Sequence, residues 1–167
     1  MEGKGIKMKT LIVYYSMSGN CEMVANKIAE ITGADVLRIE PEKAYPDKGA
    51  RKFFWGGKSA VMGEAPKLKP YSFDAAQYNH VVIGFPVWAG NVAPPVRTFV
   101  KEHRNELKEC KVSAFACQSG SGAEKALKKL RELATVENLL AELILIDPKL
   151  KENAENEERI EKFCGEI

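Results

Sequence analysis

The chain has 167 residues, of which 45% are hydrophobic and 29% are charged, a composition typical of one folded globular domain. This composition excludes long disorder, collagen-like repeats and a fibrous coil. Lys and Arg number 25 against 23 Asp and Glu, and the net charge of +2 is too small and too evenly spread to indicate a nucleic-acid or anionic-membrane partner.

The predicted strands recur along the chain at the spacing of an alternating α/β fold. Each is a short apolar run without strict alternation, as expected for a strand that is buried on both faces of a parallel sheet. The five candidates span residues 11–15, 34–39, 81–85, 112–117 and 139–146. The start of the last strand is open, because residues 139–141 fit the end of a helix equally well.

Between these strands, apolar residues recur with the period of a helix. The first helix ends at Gly33, and the second opens at Pro94 and Pro95. The third opens with the capping-box spacing of Ser121 and Glu124, and the last covers the acidic stretch 152–166. The inward stripes are Val24, Ile28 and Ile31, then Val96, Phe99, Val100 and His103, then Ala126, Leu127, Leu130 and Leu133, and finally Ile160 and Phe163.

This alternation predicts five βα units that form a single domain over residues 1–167, with a parallel sheet covered by helices on both faces. Residues 41–74 interrupt it with four prolines and the aromatic run Phe53 to Trp55. We interpret this stretch as an insert with a short helix near residues 50–62. Ligands in such folds bind beyond the carboxyl ends of the strands, so the loops that follow the strands form the candidate site.

The loop after the first strand has the features of a phosphate site. It consists of Ser16, Met17, Ser18, Gly19, Asn20 and Cys21. Its hydroxyl groups, its glycine and the unpaired N–H groups of a helix start suit an anion. It contains no Lys or Arg, which favours one monoester over a triphosphate with magnesium. A serine N-cap in a tight turn is the structural alternative.

Other phosphate-binding motifs are absent from the sequence. It contains neither G-x-x-x-x-G-K-[ST] nor, after the first strand, G-x-G-x-x-G. A receiver domain would need paired acids where Tyr14 and Tyr15 stand. A tyrosine phosphatase would need an Arg near its nucleophile, whereas Glu22 follows Cys21.

The loop after the third strand, residues 84–91, offers a flat ring to a ligand. Its candidate binding residues are Pro86, Val87, Trp88, Ala89, Gly90 and Asn91. We expect the N–H and C=O groups of residues 89–91 to lack strand partners and to recognise a ring edge. A planar ligand stacked on Trp88 and a core tryptophan beneath a loop both fit the sequence.

The loop after the fourth strand is rich in glycine and serine and opens the third helix. It consists of Gln118, Ser119, Gly120, Ser121 and Gly122. Capping of that helix by Ser121, with the glycines as hinges, is the structural alternative. Together, the three loops offer a phosphate cradle, an aromatic plane and a flexible rim at one edge of the sheet, which favours a phosphorylated planar cofactor.

In these three loops the sequence resembles the flavodoxin family, which binds flavin mononucleotide (FMN). The resemblance rests on Y-S-M-S-G-N-C at 15–21, on G-F-P-V-W-A-G-N at 84–91 with A-P-P at 93–95, and on Q-S-G-S-G at 118–122. It covers nearly the whole chain in order.

The resemblance implies a flavodoxin-like three-layer sandwich with a five-stranded parallel sheet of order 2-1-3-4-5 and non-covalent FMN. Residues 16–21 would hold the phosphate, residues 86–91 would line the isoalloxazine ring with Trp88 against it, and residues 118–122 would border the pyrimidine. The cofactor would supply the chemistry, so we predict no catalytic residue and no metal site. We expect the Ala89-Gly90 peptide to respond to the proton at flavin N5.

Three departures from the family pattern bear on function. Cys21 stands where family loops have a threonine, so a weak S–H donor replaces a hydroxyl group. The third loop lacks the tyrosine that covers the outer flavin face, and the chain is not acidic as electron-transfer flavodoxins are.

These departures bear on the carrier role more than on the family resemblance, which implies as the preferred function an FMN-binding electron-transfer protein. An FMN-dependent NAD(P)H or quinone oxidoreductase, with Phe53 to Trp55 as a substrate wall, is the alternative. A binding module that has lost its flavin is a third. His80 and His103 have no visible partner in the sequence and are not assigned a catalytic role.

Partners and location follow from the same patterns. Residues 81–90 form the longest nearly uncharged stretch of interest, far shorter than the roughly 20 apolar residues of a membrane span. The four cysteines lack metal-site or disulfide-scaffold spacing, so we predict a cytoplasmic protein. We expect redox proteins or a small-molecule acceptor as partners, and no nucleic acid, because the basic residues 125–131 fit a solvated helix face. The identity of the donor and acceptor, the redox potential and the oligomeric state, including a homodimer, stay open.

Overall fold

A computed structural model describes residues 9–45, 63–151 and 154–167 of the chain. The helix expected near residues 50–62 and the aromatic run Phe53 to Trp55 lie outside the described residues. Within the described ranges, no helix is both long enough and apolar enough to cross a membrane.

The strands form one sheet whose order is the predicted one. Its strands are β1 (Thr10–Tyr14), β2 (Asp35–Arg38), β3 (His80–Trp88), β4 (Asn91–Val92), β5 (Lys111–Gln118) and β6 (Glu142–Ile146). In the described part of the chain, five parallel strands lie in the order β2-β1-β3-β5-β6, and β4 pairs antiparallel with the end of β3. Counted without β4, this is the order 2-1-3-4-5.

Helices cover both faces of this sheet and complete a three-layer sandwich. They are α1 (Asn20–Thr32), α2 (Pro94–Glu102), α3 (Arg104–Leu107), α4 (Ala123–Ala134) and α5 (Ala154–Glu166), with a short 3-10 helix at Ala75–Gln77. One core cluster joins α1 and α5 to one face of the sheet, and the other joins α2, α3 and α4 to the opposite face. Neighbouring strand residues such as Ile12 and Val13 point to opposite clusters, and both are fully buried. The central strands β1 and β3 are apolar along most of their length because both of their faces are covered.

Four local expectations are corrected. Ile31 is 54% exposed, because the buried face of α1 runs through Val24, Ala25 and Ile28 instead. Residues 139–141 belong to neither a helix nor a strand, and Leu140 is 49% exposed. Strand β3 continues to Trp88, beyond its predicted end at Phe85.

The capping box at Ser121 is the fourth. Gly122 is the N-cap of α4, with φ of 104°, and no N-cap side chain bonds to this helix start. Instead, the Gln118 Oε1 atom accepts the N–H of Ala123 at 2.9 Å. The cap therefore comes from the end of β5 and not from the residue that the local pattern indicated.

Both histidines have partners that tertiary structure supplies. The His80 Nε2 atom lies 2.8 Å from the Ser113 Oγ atom, and His80 is only 5% exposed. Burial lowers the pKa of His80 to about 4, and the charge of Lys111 acts in the same direction. His103 lies between the Tyr71 hydroxyl group (2.6 Å) and the Glu106 carboxylate (2.9 Å).

The low pKa of His80 predicts a loss of stability in acid. The unfolded chain takes up this proton near pH 6.5, whereas the folded chain takes it up only near pH 4. The free energy of unfolding should therefore fall between pH 6.5 and pH 4, by up to roughly 3 kcal/mol. Urea unfolding at a series of pH values measures it, with His80→Gln as the comparison. A slope that persists unchanged in His80→Gln would assign the effect to other groups.

Candidate functional site

A cavity lies at the carboxyl edge of the sheet, between the loops that follow β1, β3, β5 and β6. Its volume is about 460 Å³, within the range of small-molecule sites. The predicted site residues that line it are Met17, Ser18, Asn20, Pro86, Val87, Trp88, Ala89, Gln118, Ser119, Gly120 and Ser121. The structure thus brings the three predicted loops together around one space.

The other predicted residues do not line the cavity, and several support its walls from behind. The six predicted residues outside the cavity lining are Ser16, Gly19, Cys21, Gly90, Asn91 and Gly122. The Ser16 Oγ atom accepts the N–H of Gly19 at 3.1 Å and so shapes the first loop from within. Ser16 itself is 3% exposed.

The first loop leads into a helix start without a side-chain cap. Gly19 is the N-cap of α1, has φ of 97° and makes no side-chain cap hydrogen bond. The first N–H groups of a helix lack partners within that helix and lie at the positive end of its dipole. The start of α1 therefore retains the donors that an anion uses.

An arginine from β2 offsets the acidic residue in this first helical turn. The Arg38 guanidinium lies 2.8 Å from the Glu22 carboxylate and also donates to the carbonyl of Ser16 at 2.8 Å. The carboxylate of Glu22 would otherwise repel an anion at the same helix end. The ion pair therefore keeps the electrostatics of the loop favourable for a negative ligand.

The thiol of Cys21 is buried in the core rather than exposed at this loop. The side chain is 1% exposed and belongs to the core cluster under α1, together with Cys117. Burial, with the neighbouring Cys117 thiol, raises the pKa of Cys21 well above its usual range. All four cysteines have free thiols.

The second loop is a two-residue β-hairpin. Val87 pairs with Val92, and Trp88 pairs with Asn91. Ala89 and Gly90 form the turn with φ of 52° and 72°, the positive values that such hairpins require. The expectation that the backbone of residues 89–91 lacks strand partners is therefore wrong at Asn91.

Asn91 stabilises this hairpin from the side away from the cavity. Its Nδ2 atom donates to the carbonyl of Ala89 at 2.8 Å, and its Oδ1 atom accepts from the ammonium of Lys129. The side chain is 6% exposed. Its amide therefore fixes the turn whose other face borders the cavity.

Trp88 lies between the core and the cavity. Its ring packs edge-to-face against Tyr15, with centroids 5.9 Å apart, and against Tyr45 at 5.3 Å. It packs on the core and also lines the cavity. Two aromatic neighbours thus fix the plane of a ring that a ligand can contact.

The third loop is fastened to both of its neighbours. A Cβ atom built on Gly122 would lie 2.9 Å from the Cα atom of Gly90, so the third loop touches the hairpin turn. On the other side, the Ser119 hydroxyl group donates to the Asp147 carboxylate at 2.8 Å.

A protein-family model matches nearly the whole of this chain. The flavodoxin family model matches residues 9–165. The chain belongs to the flavodoxin family. The sheet order and the cavity at the carboxyl edge are those expected of a flavodoxin-like fold.

Solved structures with this fold span nearly the whole chain. A flavoprotein from Lactobacillus acidophilus NCFM, solved in complex with FMN, has 22% identity and a TM-score of 0.73, with 93% of this chain and 98% of that one covered. A putative flavoprotein from Bacteroides uniformis has 22% identity and a TM-score of 0.70, with coverage of 93% and 97%. A flavodoxin from Megasphaera elsdenii has 18% identity and a TM-score of 0.54, with coverage of 95% and 99%. At these identities the likeness establishes the shared fold.

Sequence reasoning missed the fourth wall of the flavodoxin-like cavity. Asp147 and Leu150 line it, and both follow β6. Their position was available as a signal, because the loop after the fifth parallel strand must lie at the same edge of the sheet as the three predicted loops. Their polarity and spacing match no motif, so only their place in the topology identifies them.

The contact between the second and third loops predicts a position-specific effect of methyl groups. Gly122→Ala should lower the free energy of unfolding by about 1–3 kcal/mol, because the new methyl group meets the Gly90 backbone and the residue has φ of 104°. Gly120→Ala is the matched control in the same loop, since nothing lies within 4 Å of its added Cβ atom. Chemical denaturation measures both, and equal effects would refute the contact.

Proposed function

We propose that this protein binds FMN in the cavity at the carboxyl edge of the sheet and passes electrons between redox partners. The observation that carries the proposal is the cavity itself, which places the uncapped start of α1 and the ring of Trp88 on the walls of one space. Family membership supports it, as does the relative that was solved with FMN.

The donor set fits the phosphate of FMN. Ser18 and Asn20 line the cavity beside the helix start, and the paired charge of Glu22 does not oppose an anion there. A Cβ atom on Gly19 would fill space against the neighbouring Lys149 ammonium, 2.8 Å away. Gly19 therefore leaves room for the Lys149 side chain against the loop backbone, and its φ of 97° sets the turn into α1.

The second and third loops fit a planar ring. Pro86, Val87 and Trp88 supply apolar surface, while the third loop supplies Gln118 and Ser119, whose side-chain oxygens are held by Ala123 and Asp147. When bound, FMN supplies one- and two-electron transfer. The contribution of this chain is to bind the phosphate, orient the ring against Trp88 and exclude water from the apolar side.

The exposed rim of the cavity supports the electron-transfer role. Leu150 lines the cavity, yet its side chain is 83% exposed. An apolar side chain at the mouth of a redox site suits contact with a protein partner. The small net charge of +2 removes the acidic steering typical of flavodoxin carriers, so we infer partners that dock through apolar and mixed contacts.

Trp88 gives a direct test of the cofactor site. Trp88→Leu should raise the dissociation constants of FMN and riboflavin alike, by about tenfold, because it removes ring contact and leaves the phosphate site intact. Quenching of flavin fluorescence on titration into the apoprotein measures both constants. Phe73→Leu is the control, because Phe73 packs on Phe99 and His103 and does not line the cavity. Wild-type protein that binds no FMN would end the proposal.

Turnover distinguishes the carrier from the oxidoreductase. We expect slow steady-state oxidation of NADPH with a quinone, and entry of electrons one at a time on photoreduction of the FMN-loaded protein. Visible absorption spectra follow both reactions. Rapid, saturable NADPH turnover would favour the enzyme and would replace the electron-carrier function while retaining FMN.

A further inference from the structure

The turn that follows β6 lies against the first loop. The carbonyl of Asp147 accepts the N–H groups of Leu150 at 3.0 Å and Lys151 at 2.8 Å, which closes the turn. The Lys149 N–H donates to the Asn20 Oδ1 atom at 3.0 Å, and the Asp147 carboxylate accepts from Ser119. Residues 147–151 are therefore attached both to the third loop and to the start of α1.

This attachment places a cation on a loop that has none of its own. A Cβ atom built on Gly19 would lie 2.8 Å from the Lys149 Nζ atom and 3.3 Å from its Cδ atom. Gly19 is the N-cap of α1, so the ammonium lies beside the helix start. Among the residues that the structure describes, no carboxylate forms an ion pair with Lys149.

Arg38 also reaches the first loop, but its guanidinium is already engaged. It pairs with the carboxylates of Glu22 and Glu40 and donates to the carbonyl of Ser16. Its charge therefore offsets the local acidic groups. Lys149 differs because its ammonium lies beside Gly19, the N-cap of α1, without such an acidic partner in the described residues.

We propose that Lys149 supplies the positive charge of the phosphate site and binds the phosphate monoester of FMN together with the first N–H groups of α1. The inference rests on the proposed function. A dianionic monoester gains more from a cation beside the helix start than from neutral donors alone. The same turn carries Leu150 to the cavity, so phosphate binding and the ring pocket share one structural element.

Lys149→Met tests this role, because it removes the charge and keeps an apolar stem. In fluorescence titrations of the apoprotein, the dissociation constant of FMN should rise about tenfold and that of riboflavin, which lacks the phosphate, should stay within about twofold. The salt dependence of FMN binding should also weaken. Lys151→Met is the matched control in the same turn, since the Lys151 ammonium lies 4.0 Å from the Asp147 carboxylate.

The outcomes separate this inference from the proposed function. Equal losses for FMN and riboflavin, no loss for either, or the same loss in Lys151→Met would overturn the role of Lys149 while leaving the FMN site in place. Wild-type protein that binds neither flavin would overturn the proposed function. Inorganic phosphate alone would then decide the inference: an increase in the melting temperature of the wild type that Lys149→Met abolishes supports it, and equal increases in both proteins refute it.

Discussion

The parallel pairing of β3 with β1 on one side and β5 on the other is the constraint on which the site depends. Parallel strands end at the same edge of a sheet, and the register sets Tyr14 beside Gly84 and Pro86 beside Cys117. The fit of these central strands is close: a Cβ atom built on Gly84 would lie 2.1 Å from the ring of Phe115. The absence of a side chain at this position lets the Phe115 ring cover the middle of the sheet, and the strand ends then carry their loops to one place.

Once at this edge, the loops hold one another. The ring of Tyr15 fixes Trp88, the backbone of Gly90 touches Gly122, and Ser119 binds Asp147. Each contact joins a residue that faces the cavity, or its direct support, to a different strand. Walls fixed in this way reduce the ordering that a ligand would otherwise have to impose. The position of each wall is therefore set by the fold rather than by its local sequence.

Local charge at the site differs from what the nearly neutral composition suggests. The chain carries a net charge of +2, yet both Arg38 and Lys149 reach the first loop. Neither residue belongs to the loop, so the loop sequence alone indicated that only neutral groups would hold an anion there. Because electrostatic interactions depend on distance in space, the loop sequence does not show these two cations, of which Arg38 is paired with Glu22 and Glu40.

The buried strands, the helix end at Gly33 and the three cavity loops could be predicted from the sequence, because each depends on contacts or backbone preferences within a few residues. Two local contacts were missed although their partners lie within five residues: Gln118 caps Ala123 where the pattern indicated Ser121, and Asn91 pairs with Trp88 in a hairpin whose Ala-Gly turn lacks the usual Asn-Gly or Asp-Gly signal. The contact between Lys149 and Asn20 could not be predicted from local patterns, because it joins residues 129 positions apart. Sequence by itself determined which elements form and in what order their loops follow. Only the tertiary structure decided which side chains and charges from distant parts of the chain meet at the edge, because these contacts exist only once the parallel strands lie side by side and β6 has brought its turn to α1.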